Sequence, residues 1–482
     1  MTYFCMKKTL FYSMLILCSL QSCSSKDEES IKILTTTTSR EQDLSVSYAP
    51  FNGQTTGNCI QLDKTVRYQT IDGFGAAITG SSAYNLSLMP AAKRDTFLRE
   101  TFSPDKFGFN YIRVPIGCSD FSLSDYTCCD KEGIENFALT TEETKYIIPV
   151  IKEILKINPA LKIMGTPWTC PKWMKIESLD NPVPYNSWTG GQLNPKYYQD
   201  YAVYFAKWIQ AFKKEGINIY SITPQNEPLN RGNSASLFMG WEEERDFIKT
   251  ALGPVLQKEC PGVKIYAFDH NYNYDNMEEQ FRYPVRIYED ADASRYISGA
   301  AYHNYGGNRK ELLEIHKLAP EKELVFSEAS IGEWNNGREM EKSLLRDMDE
   351  LTIGTVNNWC KAVILWNLML DTKQGPHGGP GACSVCYGAV DIDPETYSVI
   401  TRNSHYYVIA HMGAVVKPGA VRIQSKGDIP QEISYSAFEN PDGSYALVVC
   451  NKGKNELLSV NDGKRCFTYQ IPAKAIVSFT WK

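Results

Sequence analysis

The chain has 482 residues, which leaves room for two or three domains or for one large barrel with an accessory domain. Hydrophobic residues make up 43% and charged residues 22%, the balance of a folded globular protein, which excludes disorder over most of the length. The 50 basic and 56 acidic residues leave a net charge of −6, no footprint for a phosphate backbone, so nucleic acid is not an expected partner.

In chain order, Lys7 and Lys8 precede an apolar run from Leu10 to Leu20 that has signal-peptide length and is too short to span a bilayer. Leu20-Gln21-Ser22-Cys23 then resembles the lipobox of bacterial lipoproteins. That resemblance implies a signal peptide over 1–22, cleavage after Ser22 and a lipidated Cys23 carrying an acyl chain such as palmitate. An ordinary secretory signal is the alternative. The polar, acidic Ser24 to Glu29 resembles the surface-export signal of Gram-negative outer-membrane lipoproteins, which implies an outer-membrane protein at the cell surface. Residues 23–43, with the run Thr35 to Thr38, read as a flexible tether, and 44–68 as strands joining a side β-domain. Nothing later reaches the ~18 apolar residues of a membrane span, so membrane contact is expected only through the anchor.

From residue 69 to 413, eight β-branched and apolar runs read as strands. They are Ile71–Thr79, Asn110–Pro115, Leu161–Pro167, Ile219–Pro224, Val263–Asp269, Ile297–Tyr305, Glu323–Ser330 and Ala362–Leu370. Amphipathic stretches lie between them, among them Thr141–Ile157, Pro195–Glu215 and Trp241–Glu259. Asn194-Pro195 supplies an N-cap followed by a first-turn proline. This α/β alternation predicts a parallel (β/α)8 TIM barrel, with chemistry at the C-terminal ends of its strands. From 414 to 482 the pattern changes to short strands, Val421–Gln424, Ile433–Phe438, Ser444–Asn451 and Ala475–Trp481. The turn Asn440-Pro441-Asp442-Gly443 separates two of them, and the tail reads as an attached β-sandwich-like side domain.

Apart from Cys5, Cys18 and Cys23 in the leader, eleven cysteines remain, so at least one is unpaired. Cys383 and Cys386 have CxxC spacing without a second pair, which favours a loop disulfide or a plain loop pair over a zinc site.

Two of the predicted strands end in carboxylates. The fourth runs into Gln225-Asn226-Glu227-Pro228 and the seventh into Phe326-Ser327-Glu328-Ala329. Two carboxyl groups facing one another across an acetal can split a glycosidic bond, one protonating the leaving oxygen while the other attacks. A Glu at one strand end is an ordinary salt-bridge partner; a pair on opposite walls is far more specific. Neither a metal nor a cofactor is expected. Asp269-His270 and Glu333 read as structural neighbours. The excess of Tyr and Trp suits stacking on sugar rings.

The ordered set Asp72-Gly73-Phe74-Gly75-Ala76-Ala77, Arg113-Val114-Pro115, Pro167-Trp168-Thr169, Gln225-Asn226-Glu227-Pro228, His303-Asn304-Tyr305, Ser327-Glu328-Ala329 and Trp366-Asn367 resembles glycoside hydrolase family 30, the glucosylceramidase-like retaining β-glycosidases. The resemblance runs from about Thr70 to Thr396. It implies Glu227 as acid/base, protonated at rest because the charge of Glu328 raises its pKa, and Glu328 as nucleophile. It further implies that Asn226 binds the sugar 2-hydroxyl, that Arg113 and Tyr305 orient Glu328, and that Trp168, His303 and Trp366 line the sugar pocket. Trp173, Trp241 and Trp334 are weaker candidates for outer sugar platforms. Many relatives carry Asp where this chain has Gly80, which suggests a pocket open at its far end and an endo-acting β-1,6-glucanase. An exo-acting β-glucosidase or glucosylceramidase-like enzyme, a xylosidase or xylanase, and a glycan-binding surface lipoprotein without activity are the alternatives. The expected partner is a β-linked polysaccharide or oligosaccharide.

Overall fold

A computed structural model describes Met1 and residues 30–55, 57–272, 277–379 and 381–482. The signal peptide and Cys23 lie outside the described residues. No helix among the described residues is long and apolar enough to cross a membrane.

Eight strands form one parallel sheet: β1 (Gly73–Ala76), β2 (Tyr111–Pro115), β3 (Lys162–Thr166), β4 (Ser221–Ile222), β5 (Lys264–Asn271), β6 (Gly299–His303), β7 (Glu323–Glu328) and β8 (Cys360–Leu365). Their order, β1-β8-β7-β6-β5-β4-β3-β2, follows the chain around a circle. Backbone bonds from Asn110 to Phe74 and from Ile78 to Arg113, each 2.9 Å, join β1 to β2 and close the barrel. A Cβ on Gly75 would stand 1.9 Å from the Tyr111 carbonyl oxygen, so only glycine permits this closing approach. The strands are almost wholly buried, as parallel strands covered by helices must be.

The surrounding helices follow their apolar spacing. The helix Tyr198–Lys214 buries Tyr201, Tyr204, Phe205, Trp208 and Phe212 on one face, and the Asn194 side chain accepts the Lys196 N–H ahead of it. The expected long helices over 141–157 and 241–259 each contain a widened turn, Glu143–Ile147 and Ile248–Leu252. Each widened turn stands just before a proline at the start of the next helical segment, Pro149 or Pro254. Proline cannot donate to the ladder, and the wider turn absorbs the missing bond.

The side domain is a nine-stranded sheet folded around its own core of Ile31, Ile33, Leu447, Val477, Phe479 and neighbours. It corrects the tether reading. Ser30–Thr37 is a strand paired with both Ser45–Pro50 and Ala475–Trp481, and Thr35 and Thr36 are fully buried. Threonine is polar but β-branched, and here its strand preference prevails. The C-terminal part also contains a hairpin, Glu456–Asn461 with Cys466–Ile471, which periodicity alone had not marked.

Candidate active site

The predicted polar residues converge at the C-terminal end of the barrel. Glu227 follows β4 with a left-handed backbone, φ 44°, a strained conformation for a non-glycine residue. Glu328 ends β7. One oxygen of each, with a ring nitrogen of His303, lies within 4.8 Å of the others. Retaining glycosidases hold their carboxyl groups ~5–5.5 Å apart and inverting ones ~6.5–9.5 Å, so this pair has the retaining spacing. The trio has metal-ligand atoms, but each is already committed. Glu328 is ion-paired to Arg113, and the two His303 nitrogens face Asp269 and Glu227. The group therefore does not fit a resident cation.

Arg113, from β2 and fully buried, is the hub of one wall. Nη1 donates to Glu328 Oε2, and Nη2 donates to Asn226 Oδ1 at 2.7 Å and to Asp269 Oδ2 at 2.8 Å. Tyr305 donates its hydroxyl to Glu328 Oε1 at 2.9 Å. With its Oδ1 engaged, Asn226 presents Nδ2 as its remaining donor. Trp168 and Trp366 stand together on the same wall, each only 2% exposed. They form a packed side of the pocket rather than exposed platforms.

On the other wall, Glu227 Oε2 accepts from Asn230 at 2.8 Å and Asn233 at 3.0 Å, and its Oε1 faces His303 Nδ1 at 3.4 Å. His303 Nε2 in turn meets Asp269 Oδ1 at 3.0 Å. Asp269 is therefore part of the site, which corrects the reading of it as a mere neighbour. It reaches inward because Phe268 and Asp269 both have left-handed φ, 75° and 57°, at a bulge in β5. The buried Glu244 supports the bulge by accepting the Phe268 N–H at 3.0 Å.

Electrostatics reverse one expectation. Burial pushes Glu227 up, but the His303 hydrogen bond and the charges of His270 and His303 outweigh it and hold the carboxyl at about 2. Burial disfavours the charged form of His303, yet Glu328 and Asp269 raise it to about 9. Glu328 is raised, by burial first, against the opposing pull of His303 and Arg113. The imidazole beside it thus pulls the Glu227 carboxyl below the ordinary carboxylate range, opposite in direction to the expected rise.

Two further findings bear on the pocket. A Cβ at Gly80 would lie 1.6 Å from Glu142 Oε1, so the buried Glu142 carboxylate fills the space a longer residue would use. The absence of a longer side chain at Gly80 therefore leaves no open space at that position. Asp120, in the loop after β2, was missed from the sequence. Its Oδ1 is buried without a hydrogen-bond partner, and burial with the charges of Glu328 and Glu227 raises its pKa. Its place just beyond the C-terminal end of a barrel strand was the available signal.

The outer tryptophans divide. Trp334 is 51% exposed, whereas Trp173 donates to the Cys129 carbonyl oxygen at 2.8 Å and packs edge-on to Tyr197. Trp241 donates to the Glu279 carbonyl oxygen at 3.1 Å and lies among Arg245 and Arg286. Cys383 and Cys386 form a disulfide against the Trp168 and Trp366 cluster.

Residues 71–416 match the TIM-barrel domain of glycosyl hydrolase family 30, and 419–479 match the β-sandwich domain of the same family. The chain belongs to glycoside hydrolase family 30. A solved endo-β1,6-glucanase structure is 60% identical with a TM-score of 0.92, covering 94% of this chain and 99% of that one. An endo-1,6-β-D-glucanase of Neurospora crassa is 30% identical over 83% of this chain and 82% of that protein. The lysosomal acid glucosylceramidase of Mus musculus is 27% identical over 99% of this chain and 95% of its own length.

Proposed function

We propose that this protein is an endo-acting β-1,6-glucanase that cleaves with retention of configuration, with Glu328 as nucleophile and Glu227 as acid/base. The spacing of the two carboxylates carries the reaction type. The linkage and endo action rest on the likeness to endo-β1,6-glucanases over nearly the whole chain.

Glu328 attacks the anomeric carbon as Glu227 gives a proton to the departing oxygen, forming a glycosyl ester and releasing one sugar chain. Glu227 then takes a proton from water, whose oxygen displaces Glu328 on the same face. Arg113 and Tyr305 hold Glu328 aimed and offset its charge. Asn226 Nδ2, its remaining donor, would serve the 2-hydroxyl, and the unpaired Asp120 oxygen an outer hydroxyl of the same ring. Export as a lipoprotein acylated at Cys23 would put this activity on the outer membrane, facing large external glucans.

Incubation with β-1,6-glucan, xylan, β-1,6-galactan and an aryl β-glucoside tests the substrate. Mixed-length oligosaccharides appearing early from β-1,6-glucan alone are expected. Glucose as the sole early product would overturn endo action. A Cys23→Ser variant should leave the membrane fraction; equal partition of both forms would reject the anchor.

A further inference from the structure

The side domain meets the barrel just ahead of β8, at the end of the strands opposite the catalytic carboxylates. Its strands Cys59–Thr70 and Val421–Lys426 pair there, and Asn357 and Trp359 of the barrel reach across to it. Arg422 stands at this junction. Its Cζ lies 3.9 Å from the Tyr68 ring centroid and 5.6 Å from that of Trp359, and the two rings meet edge-on at 5.6 Å. Trp359 holds this place from a left-handed backbone, φ 78°, which a bulky residue rarely adopts. Arg422 Nε donates to Gln69 Oε1 at 2.9 Å, and Gln69 is itself fixed, donating Nε2 to the Val356 and Cys360 carbonyl oxygens at 2.5 and 3.0 Å.

The guanidinium is thus held by a face and by one edge. Its Nη groups have no hydrogen-bond partner among the described residues. Arg94, Arg113, Arg309 and Arg402 each pair with a carboxylate, and Arg422 does not. Burial disfavours its charge, and no acid offsets that cost. With Tyr68, Asn357, Ser425, Ser434 and Tyr435 it lines a recess of about 330 Å³, within the ~300–1,000 Å³ of small-ligand sites. Apart from Arg422 this lining is hydroxyls and an amide. Asp349, the carboxylate beside Ser434, is already paired to Lys452 at 2.8 Å.

A guanidinium with free Nη donors is a fork that matches two oxygens of an oxyanion. The surrounding hydroxyls suit the further oxygens of a tetrahedral group, which a carboxylate lacks. We propose that this recess binds a phosphate group, with the Arg422 Nη donors on two of its oxygens and the hydroxyls of Ser425, Ser434 and Tyr435 serving the others. Free phosphate and a phosphomonoester on a sugar present the same chemistry. The site is independent of the reaction assigned to the barrel mouth.

Titration calorimetry of the full chain at low ionic strength, with inorganic phosphate, glucose 6-phosphate and acetate, tests this. Phosphate should saturate one site and bind at least about tenfold more tightly than acetate. Arg422→Lys keeps the charge but loses the fork, and should weaken phosphate at least about tenfold; Arg422→Gln should show no saturation. Tighter binding of glucose 6-phosphate than of phosphate would support the site with a sugar-borne group as its ligand, and the reverse order would support it with the free ion. No saturable phosphate binding by wild type, equal affinity for acetate, or an unchanged phosphate affinity in Arg422→Lys would each overturn the proposal. Should the arginine variants not fold, Ser425→Ala removes a hydroxyl that no described residue bonds and should weaken phosphate at least about threefold; unchanged affinity there would overturn it equally. Hydrolysis of β-1,6-glucan by each variant should stay within about twofold of wild type, whereas a fall in step with phosphate affinity would make Arg422 a staple between the domains and overturn the site.

Discussion

Trp168 and Trp366 stack with ring centroids 5.0 Å apart, and the Arg113 guanidinium lies 4.8 Å from the first ring and 5.4 Å from the second. The cation that holds Glu328 is thus clamped by aromatic faces on one side and carboxylates on the other. Truncating either tryptophan removes a large buried ring and loosens Arg113. Trp366→Ala should cost about 3–5 kcal/mol of stability and also lower kcat, whereas Trp366→Phe should keep most of both. Denaturant midpoints with parallel rate measurements check this; a Trp366→Ala protein of unchanged stability would contradict the packing.

The catalytic carboxylates predict a divided outcome. Glu328→Gln should abolish turnover on every substrate while leaving the fold intact, because the carboxylate that forms the glycosyl ester is gone. Glu227→Gln should lose glucan cleavage by roughly 10²–10⁴-fold yet retain formation of the glycosyl ester from a dinitrophenyl substrate. Burst kinetics on that substrate separate the two. Persisting glucan turnover in Glu328→Gln would show that the roles are misassigned.

The disulfide lies beside the site. Cys386 packs in the Trp168–Trp366 cluster, and the same loop donates the Gly378 N–H to the Asp120 carbonyl oxygen at 2.7 Å. A bridge across so few residues removes little unfolded-chain entropy. A Cys383→Ser, Cys386→Ser protein should therefore keep its thermal midpoint within about 2 °C, roughly 2 kcal/mol for a chain of this size, while KM for glucan rises. Titration calorimetry with a gluco-oligosaccharide on the Glu328→Gln background reads the binding change directly.

His411 ties the last barrel helix to the side domain, with Nδ1 2.8 Å from Ser478 Oγ and Nε2 2.9 Å from Thr36 Oγ1. Burial holds its pKa down at about 3, against 6.5 for an unburied histidine. Between those values the unfolded chain binds a proton that the folded one refuses, so stability present above pH 6.5 is lost progressively toward pH 3. His405 and His270, each lowered to about 4 by burial, act in the same direction. Urea midpoints at pH 7 and pH 4.5 should differ less in His411→Gln than in wild type. An unchanged difference would exclude His411 from the acid response.

Much of this site was legible because barrel geometry sends strand ends to one place. Glu227 and Glu328 each stand at the end of an apolar run, and Arg113, His303 and Tyr305 on or just beyond other strands follow the same rule. Asp269 was seen but misread, because its inward direction depends on two left-handed residues at a bulge that strand alternation does not reveal. Asp120 lies on a loop with no periodicity to place it. Gly80 misled for the opposite reason: the residue that fills its space, Glu142, is distant in sequence and enters from another helix. The Thr-rich stretch read as a tether because its polarity was weighed above its branching, and pairing with the far C-terminal strand decides it.

Double displacement by the paired carboxylates fixes the stereochemistry of the product. Proton NMR of early β-1,6-glucan hydrolysis measures this, since new reducing ends carry the configuration the enzyme leaves. The β-anomer should appear first, with the α-anomer growing later by mutarotation. An initial α-anomer would mean inversion, and would contradict the mechanism drawn from the spacing of Glu227 and Glu328.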